Sequence, residues 1–238
     1  MKKQKMTGSD LILMIILYTF AAIMIVIVLY PMWFIVIASF SDPIAVNTGK
    51  VLLLPAMFTL EGYKTLLETD YIMVGYRNTV VYTIVGTFIG LAVNISAAYA
   101  LSRKDLVGRR VFNVYFIFTM FFSGGLVPTY LTVQQFHLLN TFTIIVLPFS
   151  VAVYHIIVAR TFFQSSLPAD LFDAARIDGC GNLRYYFTMV LPLSKAVIAV
   201  VALWTAVGQW NSYFNALIYL RDQWRMPLQI ILREILIL

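Results

Sequence analysis

The sequence contains little charge. Only 12% of its 238 residues are Asp, Glu, Lys or Arg, whereas soluble domains carry about 25%. Hydrophobic residues make up 61% of the chain, and a chain of this size cannot hide that excess in a water-surrounded core. The composition therefore excludes a soluble globular fold and fits a protein whose solvent is lipid.

Cysteine, histidine and phosphate-binding motifs are nearly or wholly missing. Cys180 is the only cysteine, which excludes an intrachain disulfide. His137 and His155 are the only histidines, too few for a zinc cluster and without a nucleophile motif. The sequence has no Gly-x4-Gly-Lys-Ser/Thr loop to hold a nucleotide. We therefore predict no catalytic residue, no metal site and no cofactor bound by this chain.

The net charge of +6 comes from short basic clusters between apolar runs. Lys2-Lys3-Gln4-Lys5 precedes the first run, and Arg103-Lys104 and Arg109-Arg110 follow the second. Such clusters are typical of topology signals and lipid headgroup contacts, so no nucleic-acid partner is predicted. With the N-terminus in the cytoplasm, cytoplasmic segments hold eleven Lys and Arg and external segments six. The bias predicts that orientation.

Five segments are apolar over the ~20 residues that a helix needs to cross a bilayer. The run 11–40 exceeds a signal-peptide core and predicts a retained anchor. Residues 228–238 resemble the start of a sixth span, but eleven helical residues reach only ~16 Å. We predict an all-α membrane protein with one domain, 1–238, and five complete transmembrane helices. The predicted spans are 10–40, 78–101, 111–132, 141–163 and 196–220.

Three details of these segments carry expectations. Pro31 should kink the first span or mark its exit from the bilayer. Gly86 and Gly90 in the second span favour close helix packing, although they could equally be tolerated breakers. The loop 41–76 mixes charges with proline and glycine, which predicts a small external excursion.

Residues 164–195 form the predicted cytoplasmic loop. Pro168 is typical of a helix start, and the acidic residues that follow it lie at the positive end of the helix dipole. Gly179 or Gly181 should end that helix, and a second short helix should run to Pro192. The pattern predicts a compact helix–turn–helix under the bilayer.

One motif in this loop resembles a known family. Asp173-Ala174-Ala175, three residues, Gly179, nine residues, Met189, one residue and Leu191-Pro192 resemble the EAA motif of binding-protein-dependent ABC importer permeases. Asp173 stands for the Glu of that motif, and Met189 for its Ile. Without the resemblance, Ala174-Ala175 would be interpreted as plain helix formers.

The resemblance implies a type I ABC importer permease fold in a bacterial inner membrane, with a coupling helix that docks on a cytoplasmic ATPase. It implies a second permease subunit, two nucleotide-binding subunits that carry ATP and Mg, and an extracellular solute-binding protein. The docking residues that it implies are Asp173, Ala174, Ala175, Arg176, Asp178 and Gly179.

Two further stretches resemble the carbohydrate-uptake branch of this family, related to the maltose-system inner permease and to the oligosaccharide and polysaccharide-fragment permeases of Gram-positive bacteria. These are Trp210-Asn211-Ser212-Tyr213-Phe214-Asn215 and Gly125-Leu126-Val127-Pro128-Thr129-Tyr130. The resemblance implies import of a carbohydrate, in particular an oligosaccharide. Import of amino acids or peptides, a membrane protein without transport function and a truncated fragment are the alternatives.

Polar residues within spans are candidates for the transport path because lipid would penalise them. Their amides can bond hydroxyl groups, and their aromatic rings can pack on sugar rings; helix–helix hydrogen bonding is the competing interpretation. Asn94 and Ser96 are further candidates, while His155 is expected to pack between helices. The main group is Gln209, Trp210, Asn211, Tyr213 and Asn215.

Overall fold

A computed structural model describes residues 8–68 and 70–237, which fall into two compact units, Met1–Thr69 and Asp70–Leu238. The described residues are helical and contain no strand, only an isolated bridge between Ser41 and Phe58. The helices of the first unit are α1 (Gly8–Ser39), α2 (Pro43–Asn47) and α3 (Glu61–Glu68). Those of the second unit are α4 (Asp70–Ser102), α5 (Arg109–Phe121), α6 (Leu126–Gln135), α7 (Phe142–Val146), α8 (Val153–Ser166), α9 (Ala169–Ile177), α10 (Asn182–Tyr185), α11 (Leu191–Leu193), α12 (Lys195–Trp210), α13 (Tyr213–Tyr219) and α14 (Leu228–Ile237).

Helix α1 is apolar on every side, and Ile37 is its one buried residue. A helix of this kind needs lipid or a large protein core around it. The helix runs on through Pro31 to Ser39. The following loop then folds against the end of the helix. The Ser41 hydroxyl donates to the Ile37 carbonyl at 2.7 Å and accepts the Ala56 N–H at 3.1 Å.

Helix α4 organises the second unit, since α7, α8, α12 and α14 all pack against it. Gly86 and Gly90 are buried where neighbours approach closely. A Cβ on Gly86 would lie 2.7 Å from Cδ of Gln209, and one on Gly90 would lie 2.6 Å from the Ser150 carbonyl oxygen. Of the two interpretations left open for these glycines, close packing is confirmed.

By length and composition, α1 and α4 can each cross a membrane among the described residues. Up to five spans result if each of three bent helix pairs counts as one. The helix at the second predicted span begins at Asp70, eight residues before 78. The three bends are 114° between α5 and α6, 42° between Phe142–Ser150 and α8, and 82° between Asn182–Leu193 and α12.

The predicted spans 111–132 and 196–220 are not single straight helices in the structure, and their status as membrane spans stays a prediction. Helix α5 ends at Phe121, and Gly125 then adopts φ +84°, ψ 178°, which side chains disfavour. Helix α12 ends at Trp210, and the amide of Asn211 turns back to the Val207 carbonyl at 2.9 Å. Backbone breaks at membrane depth are tolerated where protein or a cavity surrounds them.

Candidate functional site

Helix α9 lies in the predicted cytoplasmic loop and begins where the sequence indicates. Pro168 precedes it in an extended conformation, φ −60° and ψ 140°, and Ala169 is its first residue. Asp170 occupies the first turn, where the helix dipole favours negative charge. The predicted start at Pro168 is confirmed.

The end of α9 explains the glycine of the motif. Gly179 has φ +74°, a conformation that glycine adopts without a steric penalty. Its N–H donates to the Arg176 carbonyl at 3.1 Å, and the Cys180 N–H donates to the Ala175 carbonyl at 2.9 Å. These two bonds constitute a Schellman motif. Of the two glycines proposed as the stop, Gly179 is the one that ends the helix.

The two faces of α9 differ. Ala175 is only 3% exposed and packs into the main apolar cluster, together with Leu171 and Phe172. Ala175 therefore lies on the inward face of α9 and not on its exposed face, since the helix must turn one stripe inward to be held at all. The docking roles predicted for this helix stay predictions. Ile177, which was not singled out, is 87% exposed. The predicted docking residues that remain exposed are Asp173, Ala174, Arg176, Asp178 and Gly179.

An arginine from the preceding loop holds the inner face of α9. The Arg103 guanidinium carbon lies 3.3 Å from the ring centroid of Phe172, a cation–π contact. Its Nε and Nη2 donate to the Asp105 carboxylate at 2.9 and 2.7 Å. Burial lowers the pKa of Arg103, but the hydrogen bond and charge of Asp105 together with the nearby Tyr99 outweigh burial, so that the pKa is raised overall. The same bond lowers the pKa of Asp105.

We call Arg103, Asp105 and Phe172 the Arg103 clamp. Sequence reasoning treated Arg103 only as a topology signal. The signal that could have found it is the Arg-x-Asp spacing opposite an aromatic residue in the motif helix. Because Arg103 directly follows α4, the clamp attaches α9 to the end of the longest helix in the second unit.

A cavity of about 790 Å³ opens beside the Arg103 clamp. Among its lining residues, four are basic and two are acidic. An excess of Lys and Arg is typical of the cytoplasmic side of a membrane protein. These charged residues are Arg103, Lys104, Arg109, Arg176, Asp105 and Asp173.

Aromatic contacts continue the connection from α9 into the membrane helices. The ring of Phe172 meets that of Tyr185 edge-on at 5.2 Å, and burial raises the pKa of Tyr185. Tyr186 follows and packs on Tyr99 of α4 at 5.1 Å. Its hydroxyl lies 3.1 Å from that of Ser96. Ser96, considered for the transport path, thus contacts Tyr186, which follows α10.

The residues predicted for the transport path do not form one cluster. Gln209 is 5% exposed, and its amide donates to the Ser150 hydroxyl at 2.7 Å. Gln209 therefore lies inside the helix bundle, because Gly86 leaves room for it there. Trp210 meets the Tyr76 ring edge-on at 6.2 Å, at the bundle surface. Of the other members, Asn211 and Tyr213 are exposed and Asn215 is half-buried.

Asn94 supplies hydrogen-bond partners to the backbone at the bend between α7 and α8. It is fully buried; its amide donates to the Ser150 carbonyl at 3.1 Å, and its carbonyl accepts the Ala152 N–H at 3.1 Å. These backbone groups lie at the bend before α8, where the regular helix bonds stop. Asn94 is therefore a structural residue rather than part of an open path.

His155 packs between helices, as expected. Its ring stacks on Trp204 with centroids 5.5 Å apart, and its Nδ1 lies 3.4 Å from the Thr205 hydroxyl. Within residues 8–68 and 70–237, no three His, Cys, Asp or Glu side chains come together as a metal-binding group.

Comparison with known proteins adds three similarities, while no family model matches the chain. It is 36% identical over 222 residues to the polygalacturonan/rhamnogalacturonan transport system permease protein YtcP of Bacillus subtilis, covering 93% of this chain and 77% of the relative. It is 29% identical to the diacetylchitobiose uptake system permease protein NgcG of Streptomyces coelicolor, covering 83% and 66%.

The structure also resembles a chain in the crystal structure of a bacterial ABC transporter involved in the import of the acidic polysaccharide alginate. The TM-score is 0.94 at 33% identity, over 98% of this chain and 82% of that chain.

Proposed function

Because this chain belongs to the permeases of carbohydrate ABC importers, we propose that it carries an acidic oligosaccharide and that α9 couples its movement to an ATPase. The observation that carries the transport function is the likeness over 93% of the chain to a sugar permease, at 36% identity. The relatives reported above are named for carbohydrate substrates, which supports import of a sugar over import of amino acids or peptides.

Two similarities support an acidic substrate. Polygalacturonan and rhamnogalacturonan contain uronic acids, and alginate is named as an acidic polysaccharide. A solute-binding protein would deliver the sugar outside, and a second permease would complete the path. To test the substrate class, the purified importer with its subunits is placed in liposomes, and uptake of trigalacturonate is compared with uptake of neutral maltotriose. Preferential uptake of trigalacturonate supports the proposal; uptake of maltotriose alone contradicts it.

The coupling role of α9 is supported by its two unlike faces. Ala175 and the Arg103 clamp hold the inner face of α9, so that a movement of the ATPase against the outer face would be transmitted to α4. Docking on the ATPase would place α9 and the N-terminus in the cytoplasm and leave ATP and Mg on the partner. Small residues such as Ala174 and Gly179 would let the partner approach closely.

Cysteine cross-linking tests this docking. In a Cys180→Ser background, Ala174→Cys should form a disulfide with a cysteine introduced in the groove of the ATPase. The matched control is Ala175→Cys, one residue away but buried, which should not cross-link. Equal cross-linking at both positions, or at neither, contradicts docking through the exposed face of α9.

A further inference from the structure

A second cavity lies at the opposite end of α4 from the Arg103 clamp. It measures about 570 Å³ and is lined by residues of α4, by the first residue of α7 and by the loop before α14. Arg77 on this cavity and Arg103 at the clamp are 26 helical positions apart, about 39 Å. That separation exceeds the ~30 Å hydrocarbon layer. If α9 is cytoplasmic, this cavity faces the outside.

The cavity carries unbalanced positive charge. Two of its eight lining residues are arginines and none is acidic. Arg225 is partly neutralised by Asp222, whose carboxylate lies 3.5 Å from its Nε, and it donates to the Asn140 carbonyl. The guanidinium of Arg77 is exposed and forms no hydrogen bond or ion pair with another described residue. Arg77 is therefore a free cation on the cavity wall.

The other walls are aromatic and held in place. The rings of Tyr82 and Phe142 pack at 5.3 Å, and the Tyr82 hydroxyl donates to the Arg225 carbonyl at 2.8 Å. The Asn78 amide donates to the Trp224 carbonyl at 2.8 Å and fixes the loop over the cavity. The volume lies within the range of about 300–1,000 Å³ that is usual for small-molecule sites. The cavity is thus preformed, with a cation and aromatic faces converging on it.

We propose that this cavity, which we call the Arg77 cavity, receives a uronate residue of the substrate at the external entrance of the path. Arg77 would pair its planar guanidinium with the sugar carboxylate through two parallel hydrogen bonds, which a neutral sugar cannot form. The exposed ring of Trp224 and that of Phe142 would pack against the sugar ring. This assignment rests on the proposed acidic substrate and names the residue that selects it.

Direct binding tests the assignment. The importer complex in lipid nanodiscs, without solute-binding protein, is titrated with trigalacturonate, and binding is followed by calorimetry and by quenching of tryptophan fluorescence. Arg77→Gln should weaken binding roughly 10-fold or more, because a neutral amide replaces the charge-assisted pair of hydrogen bonds to the carboxylate. Arg77→Lys keeps the charge without the planar fork and should lie between Arg77→Gln and the wild type.

The matched control is Arg221→Gln. Arg221 is an exposed arginine in the same loop as Trp224 and Arg225, but it bonds the Tyr130 hydroxyl and does not line the cavity. The Arg221→Gln variant should bind trigalacturonate as tightly as the wild type. An equal loss in Arg221→Gln would mean general charge attraction and would overturn the assignment, as would unchanged binding in Arg77→Gln.

Uptake distinguishes failure of this assignment from failure of the proposed function. If liposomes with the complete importer take up trigalacturonate but Arg77→Gln binds it normally, the Arg77 cavity is not the site and the acidic substrate stands. If the wild type neither binds nor takes up trigalacturonate, the substrate class and the assignment fail together.

Discussion

Replacing Gly179 separates two roles that a motif glycine can have. One role is conformational, because Gly179 has φ +74° and ends α9. The other is steric, because a partner ATPase could approach a residue without a side chain. Among residues 8–68 and 70–237, no atom outside the immediate helix backbone and chain neighbours lies within 4 Å of a Cβ built on Gly179. A side chain there therefore meets no atom of the described chain, and any steric effect must come from a partner.

The two roles predict different rankings of the variants Gly179→Ala, Gly179→Asn and Gly179→Asp by the strength of their effect. An L-residue in the left-handed region costs about 1–2 kcal/mol, but Asn and Asp visit it more readily than Ala. Such a cost is small against a total stability of about 5–15 kcal/mol, so insertion should survive in all variants. If a partner packs on Gly179, any added side chain should cost about 1–3 kcal/mol of docking energy, roughly 5-fold to 150-fold in affinity.

We expect Gly179→Asn and Gly179→Asp to uncouple the importer at least as strongly as Gly179→Ala. The measurement is sugar taken up per ATP hydrolysed in liposomes, with membrane insertion checked separately. Gly181→Ala is the matched control, since Gly181 is equally open but has an ordinary φ of −71°. The reasoning is refuted if uptake is normal in all three Gly179 variants, or if Gly179→Asn behaves like the wild type and only Gly179→Ala is impaired.

Three further predictions concern other contacts. Arg103→Gln should lower uptake per ATP with normal insertion, because it removes a cation–π contact of about 0.5–1 kcal/mol that holds α9; insertion failure, or normal coupling, would contradict this. Gly90→Ala should lower the thermal stability of the detergent-purified complex by about 1–3 kcal/mol, because its Cβ would meet the Ser150 carbonyl oxygen at 2.6 Å. Gly208→Ala, in an open helix position, should by comparison be neutral or slightly stabilising. Asn94→Leu should also lower the melting temperature of the detergent-purified complex, because each buried backbone group that it leaves without a partner costs about 1–3 kcal/mol. An unchanged melting temperature would refute the structural role of Asn94.

The sequence by itself determined the lipid environment, the all-α class of fold and the position of helix α9. Length and lack of charge suffice for the first two, because a long run without charge is stable only in lipid. The start of α9 at Pro168 was also predictable, and its end was narrowed to Gly179 or Gly181, since proline and glycine act through local backbone preferences that need no tertiary partner. The number of spans stays a prediction, because each bent pair could count once.

The tertiary structure alone decided which side of each helix faces inward. Ala175 and Gln209 are buried, whereas their neighbours Ala174 and Trp210 are exposed. In a soluble helix, a polar stripe would reveal this rotation, but here lipid and protein core are both apolar and the periodic signal is lost. The Arg77 cavity likewise depends on contacts such as that from Asn78 to the Trp224 carbonyl, 146 positions apart in the chain. Only folding brings those groups together, because no local preference spans that distance.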